Sequence, residues 1–560
     1  MMEHKSENKI CQNCKKDFTI EPEDFLFYER IQVPEPTFCL DCRNQRKYAW
    51  RNERNLYRRN CDLCDKSTIT MYHPDSPYKV YCQSCWWGDD WDEKSFGLEF
   101  DFTKSFFVQF KELQLKVPRL ALLNKNSVNS DYTNHSGDNK NLFLSYECFD
   151  CENSLHLSQC WSKIKDSIDC NMCTDGGVML YECVSSNGCY NCQYCLLVKN
   201  SIDSYFCFDC INCQNCFLSY NLRNKRYVFK NEQLTKDEYL DRINKLKLDS
   251  FKTREELKLF WFTNIREKAI HKYAQIISAI NVTGDVIANS KNCKNVYDTF
   301  DSEEVRNSIV VIGKEIMDAH NTGIGISELI YESHAITNSS NIKFSHLSYD
   351  NSFIEYCDCV HNSQYLFGCI GLKKSNYCIL NKQYSKEEYI ELKEKIIEYM
   401  KKTGEYGEFF PSSLSPFGYN ETQGQVYMPI IKEEAVKNNF NWQDDIKIRK
   451  GEETIQTNDL PDSILDINND ITKEILRCIS CDRNFNIVDQ ELEIYKKLNI
   501  SIPRKCPNCR YLERISLRPP RKLWHRSCMK EGCTNTFETS YSPDRPEIVY
   551  CEKCYQQEVY

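Results

Sequence analysis

Apolar residues follow a helical period in two segments of the chain. Between 93 and 126 they recur every three or four positions before Pro118, at Phe106, Phe107, Phe110, Leu113 and Val117. This spacing predicts a helix that docks its apolar face on a neighbouring element. Residues 253–280 show the same amphipathic pattern and predict a second helix.

From about Asn126 the pattern changes to short apolar segments separated by Asn, Ser, Asp and Gly. Cysteines mark a repeat there, in two rows with nearly equal steps, the second row three positions after the first: Cys148, Cys170, Cys192 and Cys213, then Cys151, Cys173, Cys195 and Cys216. A repeat of about 20–24 residues made of short strands and turns predicts a solenoid, and we interpret it as a parallel β-helix.

The solenoid pattern occurs twice. The ending NKRYVFKNEQLTKDEYLDRINKL (224–246) returns as KSNYCILNKQYSKEEYIELKEKI (374–396). The beginnings also match, with Asp131, Asn141, Asn153 and Ser154 corresponding to Asp285, Asn295, Asn307 and Ser308. Each ending predicts a capping helix with Thr235 or Ser385 as N-cap and a glutamate three positions later. Such a helix would cover the open edge of the last coil.

Cysteine pairs cluster near both ends of the chain, from Cys11 to Cys85 and from Cys478 to Cys554. The intervals between successive pairs are the same in both sets, and only Cys528-x4-Cys533 departs from the Cys-x2-Cys spacing within a pair. The predicted metal ligands are Cys11, Cys14, Cys39, Cys42, Cys61, Cys64, Cys82, Cys85, Cys478, Cys481, Cys506, Cys509, Cys528, Cys533, Cys551 and Cys554.

Pairs of Cys-x2-Cys knuckles suit zinc, because two knuckles across a hairpin supply four thiolates in a tetrahedron. The sequence therefore predicts about four structural Zn²⁺ ions, each with a closed ligand set. An iron-sulfur cluster is the chemical alternative. Two pairings remain open: neighbouring knuckle pairs share a metal, or the sites are cross-braced, with Cys11 and Cys14 joined to Cys61 and Cys64.

The solenoid cysteines allow two interpretations. Adjacent β-helix coils lie about 4.8 Å apart, slightly more than the separation of under about 4 Å between sulfurs that share a zinc ion. Cysteine is also a small buried hydrophobe, so we favour an apolar core ladder over metal or redox chemistry. In the second copy Ser363 and Leu366 stand in place of Cys213 and Cys216, which supports the same choice.

Two successive knuckle pairs make one predicted zinc ribbon, so the cysteines at each end of the chain form two ribbons. A basic connector joins these two ribbons, over residues 43–60 at one end and 510–527 at the other, with net charges of +6 and +5. Arginine with interleaved aromatic residues suits contact with nucleic acid or ribonucleoprotein. The candidate residues are Arg43, Arg51, Arg54, Tyr57, Arg59, Arg510, Arg518, Arg521, Trp524 and Arg526. The alternative is that these arginines pair with acidic side chains of the same protein, or form a solvated face.

Composition and charge narrow the function class. The net charge of −9 argues against a general nucleic-acid coat but allows a local basic patch. The sequence begins without an apolar leader and contains no run of about 18 apolar residues, so we expect no membrane partner and a cytoplasmic location. In such a reducing compartment, 34 cysteines indicate metal binding rather than disulfides.

The first ribbon resembles a known zinc-ribbon family. The shared features are the two knuckles Cys11-x2-Cys14 and Cys39-x2-Cys42, Phe18, the acidic stretch 21–24, the pair Phe27 and Tyr28, and the final Arg43. The whole chain resembles bacterial multi-zinc-ribbon proteins with Asn- and Cys-rich repeats such as NKQYSKEEY and LALLNKNSVNSDYTNH. The resemblance implies zinc binding and no particular activity.

Together these patterns predict a mainly β protein, with tandem zinc ribbons at both ends flanking a duplicated β-solenoid with linking helices. The expected segments are a tail (1–8), ribbon 1 with its basic connector (9–60), ribbon 2 (61–92), a helical linker (93–126), solenoid 1 with its capping helix (127–246), a helical linker (247–280), solenoid 2 with its capping helix (281–400), a loop and acidic linker (401–475), ribbon 3 with its basic connector (476–527) and ribbon 4 (528–560).

The predicted function is a zinc-binding, non-enzymatic recognition or scaffold protein, with a protein partner on the solenoid face as a further expectation. The alternative is an enzyme, either a β-helix enzyme acting on carbohydrate or a thiol redox protein that uses the solenoid cysteines. The chain lacks the His-Glu-x2-His, Gly-x4-Gly-Lys-Ser/Thr and Gly-x-Gly-x2-Gly motifs, which favours the first reading. No catalytic residue is predicted.

Overall fold

The computed structural model describes residues 5–322, 325 and 327–560. The chain divides into two compact units: unit 1 contains the described part of Met1–Leu122 and Ala274–Asp444, and unit 2 contains Leu123–Tyr273 and Asp445–Tyr560. Unit 1 therefore combines the first two ribbons with the second solenoid, and unit 2 combines the last two ribbons with the first solenoid. The linear order of the segments did not predict this crossed grouping.

The helices lie mainly in the ribbons and beside the solenoids. In chain order they are α1 (Pro22–Ile31), α2 (Leu40–Tyr48), α3 (Gln83–Trp87), α4 (Phe106–Lys116), α5 (Lys236–Asn244), α6 (Phe251–Phe260), α7 (Lys386–Thr403), α8 (Gln423–Tyr427), α9 (Lys432–Lys437), α10 (Asp489–Leu498), α11 (Pro507–Ser516) and α12 (Glu552–Val559).

The strands are short except at the start of the second solenoid. As far as the first solenoid they are β1 (Glu7–Ile10), β2 (Asp17–Ile20), β3 (Tyr57–Asn60), β4 (Ser67–Thr70), β5 (Val80–Tyr81), β6 (Arg119–Leu120), β7 (Asn124–Lys125), β8 (Ser136–Gly137), β9 (Lys140–Phe143), β10 (Glu152–Leu155), β11 (Ile164–Lys165), β12 (Gly177–Val178), β13 (Cys189–Tyr190), β14 (Gln214–Phe217), β15 (Arg226–Phe229) and β16 (Glu232–Gln233). The remainder are β17 (Ile270–Lys272), β18 (Ile276–Ile277), β19 (Ile280–Ala288), β20 (Lys291–Arg306), β21 (Ile309–Met317), β22 (His320–Thr322), β23 (Glu328–Tyr331), β24 (His334–Thr337), β25 (Ser340–Lys343), β26 (His346–Tyr349), β27 (Ser352–Glu355), β28 (Asp358–His361), β29 (Gln364–Phe367), β30 (Asn376–Ile379), β31 (Lys382–Gln383), β32 (Leu476–Arg477), β33 (Asn484–Phe485), β34 (Trp524–Ser527), β35 (Thr536–Thr539) and β36 (Ile548–Tyr550).

Both central regions are parallel β-solenoids, as predicted, but the coil is shorter than the predicted repeat. Strands β9 and β10 pair in parallel, and so do β25 and β27. Most coils advance the chain by 12 positions, as between the bonded side chains of Asn141 and Asn153, and some advance it by 11 or 13. The longer period expected from the cysteines is wrong, because the bridge between Phe149 and Trp161 places Cys160, and not Cys170, beside Cys148.

Each coil consists of three-residue segments that are separated by corners. From Asn191 to Asn224 every third residue has a positive φ and forms a corner, which favours Asn, Asp and Gly but here includes Tyr and Leu. From Asn191 to Leu218 the residue after each corner points into the lumen and is buried. A coil of the usual length therefore has four corners and four inward side chains.

Small side chains fill the lumen of the first solenoid. One column contains Cys170, Cys183, Cys195 and Cys207, and serines occupy many other inward positions. The Cys195 thiol lies 3.5 Å from the Gln193 carbonyl and 3.4 Å from the Ser204 carbonyl. The Ser186 hydroxyl makes the matching bonds, to the carbonyls of residues 184 and 195. Cysteine and serine thus satisfy the same backbone carbonyls, in agreement with the predicted core ladder.

Both solenoids end as predicted. An antiparallel hairpin, β15–β16 or β30–β31, turns the chain back at the last coil, and a helix follows. Thr235 and Glu238 form a reciprocal capping box at the start of α5, and Ser385 and Glu388 do so at α7. Each box satisfies backbone N–H groups that the first turn of a helix leaves without partners.

The two predicted linker helices have different outcomes. Helix α4 is present, and Phe106 packs against the rings of Tyr356 and Phe367 on the second solenoid in unit 1. The predicted helix over 253–280 is wrong in its second half. Helix α6 continues as a π-helical turn only to Arg266, and β17 and β18 follow, where isoleucines favour strand pairing.

The narrow lumen predicts losses of stability of different size for two substitutions of Cys195. Cys195→Ser keeps the hydrogen bonds to the carbonyls, so the free energy of unfolding should fall by no more than about 1 kcal/mol. Cys195→Leu adds volume to a filled lumen and should cost about 1–3 kcal/mol. Urea denaturation of both variants measures the difference, and equal losses would contradict this description of the lumen.

Candidate metal centres and the docking of the ribbons

Sixteen cysteines form four groups near the two ends of the chain. The ligand atoms of each group lie within 4.8 Å of one another: Cys11, Cys14, Cys39 and Cys42; Cys61, Cys64, Cys82 and Cys85; Cys478, Cys481, Cys506 and Cys509; Cys528, Cys533, Cys551 and Cys554. Each group joins two knuckle pairs that are neighbours in the sequence. The pairing is therefore sequential, and the cross-braced alternative is wrong for the described residues.

The distances between sulfurs suit a tetrahedral ion. The Sγ atoms of Cys14 and Cys39 are 3.6 Å apart, and those of Cys481 and Cys506 are 3.7 Å apart. Four thiolates at about 2.3 Å from a central zinc ion would have sulfur separations just under about 4 Å. The groups therefore fit a tetrahedral metal, and the four thiolates leave no position for water or substrate.

Each group is built from a hairpin and a helix start. The first knuckle lies between the strands of a hairpin, such as β1 and β2, which pair antiparallel around Cys11. The first cysteine of the second knuckle is the N-cap of a helix in all four ribbons, at Cys39, Cys82, Cys506 and Cys551. The positive end of the helix dipole favours negative charge on these sulfurs.

Hydrogen bonds to sulfur support ionised thiols. The backbone N–H of Cys82 donates to Cys61 at 3.3 Å, and that of Cys551 donates to Cys528 at the same distance. Burial opposes ionisation of Cys551, but bonds from the Asn535 side chain and the Cys554 backbone lower its pKa to about 6. In the same group, desolvation and the neighbouring thiols raise the pKa of Cys554 to about 12.

The fourth group forms in spite of its unusual spacing. In the other three ribbons the residue after the first knuckle has a positive φ, and these residues are Lys15, Asp65 and Asp482. In the longer Cys528-x4-Cys533 loop the positive φ falls instead on Gly532. The loop still brings Cys528 and Cys533 into one group with Cys551 and Cys554.

In unit 2 the third ribbon docks on the first solenoid through buried ion pairs. Arg510 and Arg514 lie one turn apart on α11, directly after the knuckle, and both contact Asp169 at 2.9 and 2.8 Å. Asp169 is a solenoid corner with φ 58° and a fully buried side chain. Arg510 also contacts Glu491 of the ribbon at 3.1 Å. Burial opposes ionisation of Glu491, but His156 and Arg510 hold its pKa at about 2.

Unit 1 repeats this arrangement with different residues. Arg43 follows the knuckle on α2 and pairs with Asp318, a buried corner of the second solenoid. Lys47, one turn later, contacts Glu332 at 3.1 Å. Burial raises the pKa of Asp318 to about 6, although Arg43 and Lys47 favour its ionised form. The cysteine knuckle thus lies at the start of a helix whose first two turns carry the docking cations.

The second ribbon of each unit docks by strand pairing. Strand β5 of ribbon 2 pairs in parallel with β6, and β36 of ribbon 4 pairs in parallel with β17. In both units the partner strand comes from a segment next to a helix, α4 or α6, rather than from the ribbon itself. Each ribbon pair is therefore attached within its unit by two kinds of contact, which are buried ion pairs and strand pairing.

The structure divides the ten candidate nucleic-acid residues into two groups. Arg43, Arg51 and Arg510 are buried, and each forms an ion pair within its own unit, with Asp318, Glu53 and Asp169 respectively. These three arginines therefore agree with the alternative prediction, in which the arginines pair with acidic side chains of the same protein. The other seven are partly exposed, and nucleic-acid contact stays a prediction for them: Arg54, Tyr57, Arg59, Arg518, Arg521, Trp524 and Arg526.

Sequence reasoning missed the acidic side of the docking contacts. Asp169 and Asp318 occupy corners, where Asn and Asp are frequent for conformational reasons alone. No local signal separates them from exposed corner residues. The basic residues could have been identified from the sequence, because Arg510 and Arg514 have the same four-residue spacing as Arg43 and Lys47.

Among the residues that the structure describes, the solenoid cysteines belong to none of the metal-ligand groups. None of the 34 cysteines, all of which lie in the described residues, forms a disulfide. The described part of the chain contains no helix with the length and apolarity needed to span a membrane. Comparison with protein-family models and with curated proteins finds no match for this chain. The resemblance to the zinc-ribbon family therefore rests on the knuckle spacing and on the four-cysteine geometry.

The buried ion pairs predict a large loss of stability in one variant and a small loss in its control. Arg510→Met leaves Asp169 and Glu491 buried with one cation fewer, and should reduce the free energy of unfolding by about 3–5 kcal/mol. Arg477→Met removes a half-exposed ion pair with Asp482 in the same ribbon and should cost less than about 1 kcal/mol. Urea denaturation measures both, and similar losses would show that the buried pairs do not determine docking.

The thiol pKa values predict proton release on metal binding. At about pH 7 the thiol of Cys554 is protonated, because its pKa is raised to about 12, and a bound metal ion must displace that proton. Metal affinity should rise with pH and fall as Cys551 is protonated below about pH 6. Calorimetry in buffers of different ionisation enthalpy should give at least about one proton per ion, and zero release would contradict the assigned ligands.

Proposed function

We propose that this protein is a non-enzymatic scaffold whose four structural zinc ions hold its ribbons against two β-solenoids. The observation that carries the proposal is the repeated clamp. In each unit a four-cysteine group starts a helix, and the residue that follows the knuckle on that helix, Arg43 or Arg510, pairs with a buried solenoid aspartate.

The chemistry of the ligands supports zinc and a structural role. Four thiolates in a tetrahedron are a common structural zinc set, and a closed set offers no position for catalysis. Without the metal, four thiols in contact would repel as they ionise, and the helix start at Cys39 or Cys506 would lose its anchor. A reducing compartment such as the cytoplasm would keep the ligands as thiols.

A clamp also explains why the connectors are so basic. A charged helix face gains little from solvent-exposed pairs, but a buried pair in good geometry fixes one docking position. Asp169 forms ion pairs with two arginines, and Arg510 forms ion pairs with both Asp169 and Glu491. This network specifies where the helix lies on the solenoid flank.

Removing one zinc ligand should test the metal and the clamp together. The full-length protein should contain about four zinc ions per chain, and Cys509→Ala should contain about three. In that variant, amide hydrogen exchange around Asp169 should become at least about tenfold faster, because the docking helix loses its anchored start. Elemental analysis and exchange mass spectrometry provide the two measurements.

Cys210→Ala is a matched control, since Cys210 is a buried cysteine of the solenoid in the same unit. It should keep about four zinc ions. Iron in place of zinc would reject the metal assignment. Unchanged exchange around Asp169 in Cys509→Ala, with one zinc ion lost, would reject the clamp.

A further inference from the structure

Unit 2 contains a cavity of about 370 Å³ between α6, α11 and the loop 501–505. Its wall combines aromatic rings, including Tyr181, Tyr194 and Phe262, with several cations. Leu259 also lines the cavity and is 67% exposed, which places it at the rim. Cavities of this volume accommodate small organic molecules.

Arg254 is a buried cation in this wall that contacts no carboxylate among the described residues. Its side chain is buried, with 3% exposure. Nη1 donates to the Gln193 side chain at 3.0 Å, while the buried Nε and Nη2 atoms have no hydrogen-bond partner. Its guanidinium group lies over the rings of Tyr181 and Phe206, at 5.2 and 5.5 Å. Among the described residues the structure gives Arg254 no carboxylate partner.

The carboxylates nearest to Arg254 contact a lysine instead, and they favour the charged guanidinium group only through space. Lys258 contacts Glu182 at 2.8 Å and Glu255 at 3.1 Å. Arg510 and Arg514 share Asp169. Arg504 donates to the carbonyls of Leu460 and Pro461 rather than to a carboxylate, and burial lowers its pKa to about 10. The cavity wall therefore has an excess of positive charge in a desolvated setting.

The equivalent place in unit 1 is closed by the chain itself. Tyr331 and Glu332 occupy the register of Tyr181 and Glu182, counted from the shared solenoid endings. There the backbone N–H of Phe409 donates to Glu332 at 2.8 Å, and the ring of Phe410 stacks on Trp50 at 4.7 Å. The residues that line the cavity in unit 2 include no counterpart of the Phe409–Phe410 segment, and they include Arg254.

We propose that the unit 2 cavity binds a small organic anion, whose carboxylate or phosphate group pairs with Arg254 and whose apolar or aromatic body contacts Tyr194 and Phe262. A guanidinium group with two free N–H donors matches the two oxygens of either anion. The aromatic wall adds apolar contact and makes an inorganic ion a poorer ligand than an aromatic one.

Calorimetric titration of the full-length zinc-loaded protein tests the site with three probes: benzoate, phenyl phosphate and inorganic phosphate. At least one aromatic anion should bind with one-to-one saturation, at least about tenfold more tightly than inorganic phosphate. Benzoate and phenyl phosphate separate the carboxylate and phosphate forms of the proposal. If no probe saturates below about 10 mM, the proposal is overturned.

Two variants and one control identify the residue responsible. Arg254→Met should weaken binding of the tighter probe at least about tenfold, because a charge-assisted pair is lost. Arg242→Met, an exposed arginine of α5 in the same unit, should leave the affinity within about twofold. Leu259→Trp, at the exposed rim, should narrow the cavity and weaken binding even if Arg254→Met fails to fold. Unchanged affinity in Leu259→Trp, or in a folded Arg254→Met, would contradict the site.

Discussion

A buried ion pair between a ribbon helix and a solenoid corner is the contact on which each unit depends. Removing two charges from water costs several kcal/mol per ion, so such a pair forms only where both partners are held in place. The solenoid holds Asp169 and Asp318 in place, because each is a corner whose backbone N–H donates to a carbonyl of the preceding coil. The knuckle holds Arg510 and Arg43, because the helix that carries each of them begins at a cysteine of a four-cysteine group. The four-cysteine groups and the solenoids therefore position the two partners of the same ion pairs.

The lumen imposes the second constraint. With four inward side chains in each coil, there is room for Cys, Ser and occasional Leu, Val or Ile. The inward cysteines and serines also lie close to the backbone carbonyls of residues next to a corner. Cysteine meets both demands, since it is small and apolar and its thiol can donate a weak hydrogen bond. This gives the solenoid cysteines a structural reason that is separate from the chemistry of the ribbons.

The sequence predicts local features of this protein well and relations between distant segments poorly. The capping boxes at Thr235 and Ser385, helix α4 and the sixteen cysteines of the four groups could be identified because each depends on nearby residues or on a distinctive spacing. The coil length could not, because inward residues recur every three positions and evenly spaced cysteines imitate a longer repeat without sharing a column. The burial of Arg43 and Arg510 depends on Asp318 and Asp169, which are distant in the sequence, and a corner aspartate looks the same whether it faces solvent or a ribbon.

The crossed grouping of segments affects the order in which the protein can fold during synthesis. Ribbons 1 and 2 emerge from the ribosome well before the solenoid to which they belong, and the first solenoid emerges before the ribbons of its own unit. Neither unit is a continuous stretch of chain, so neither can finish folding until a later segment has been translated. Ribbons 1 and 2 would therefore have to persist without their solenoid through much of translation, and early metal capture would give those short segments a fixed structure in the meantime.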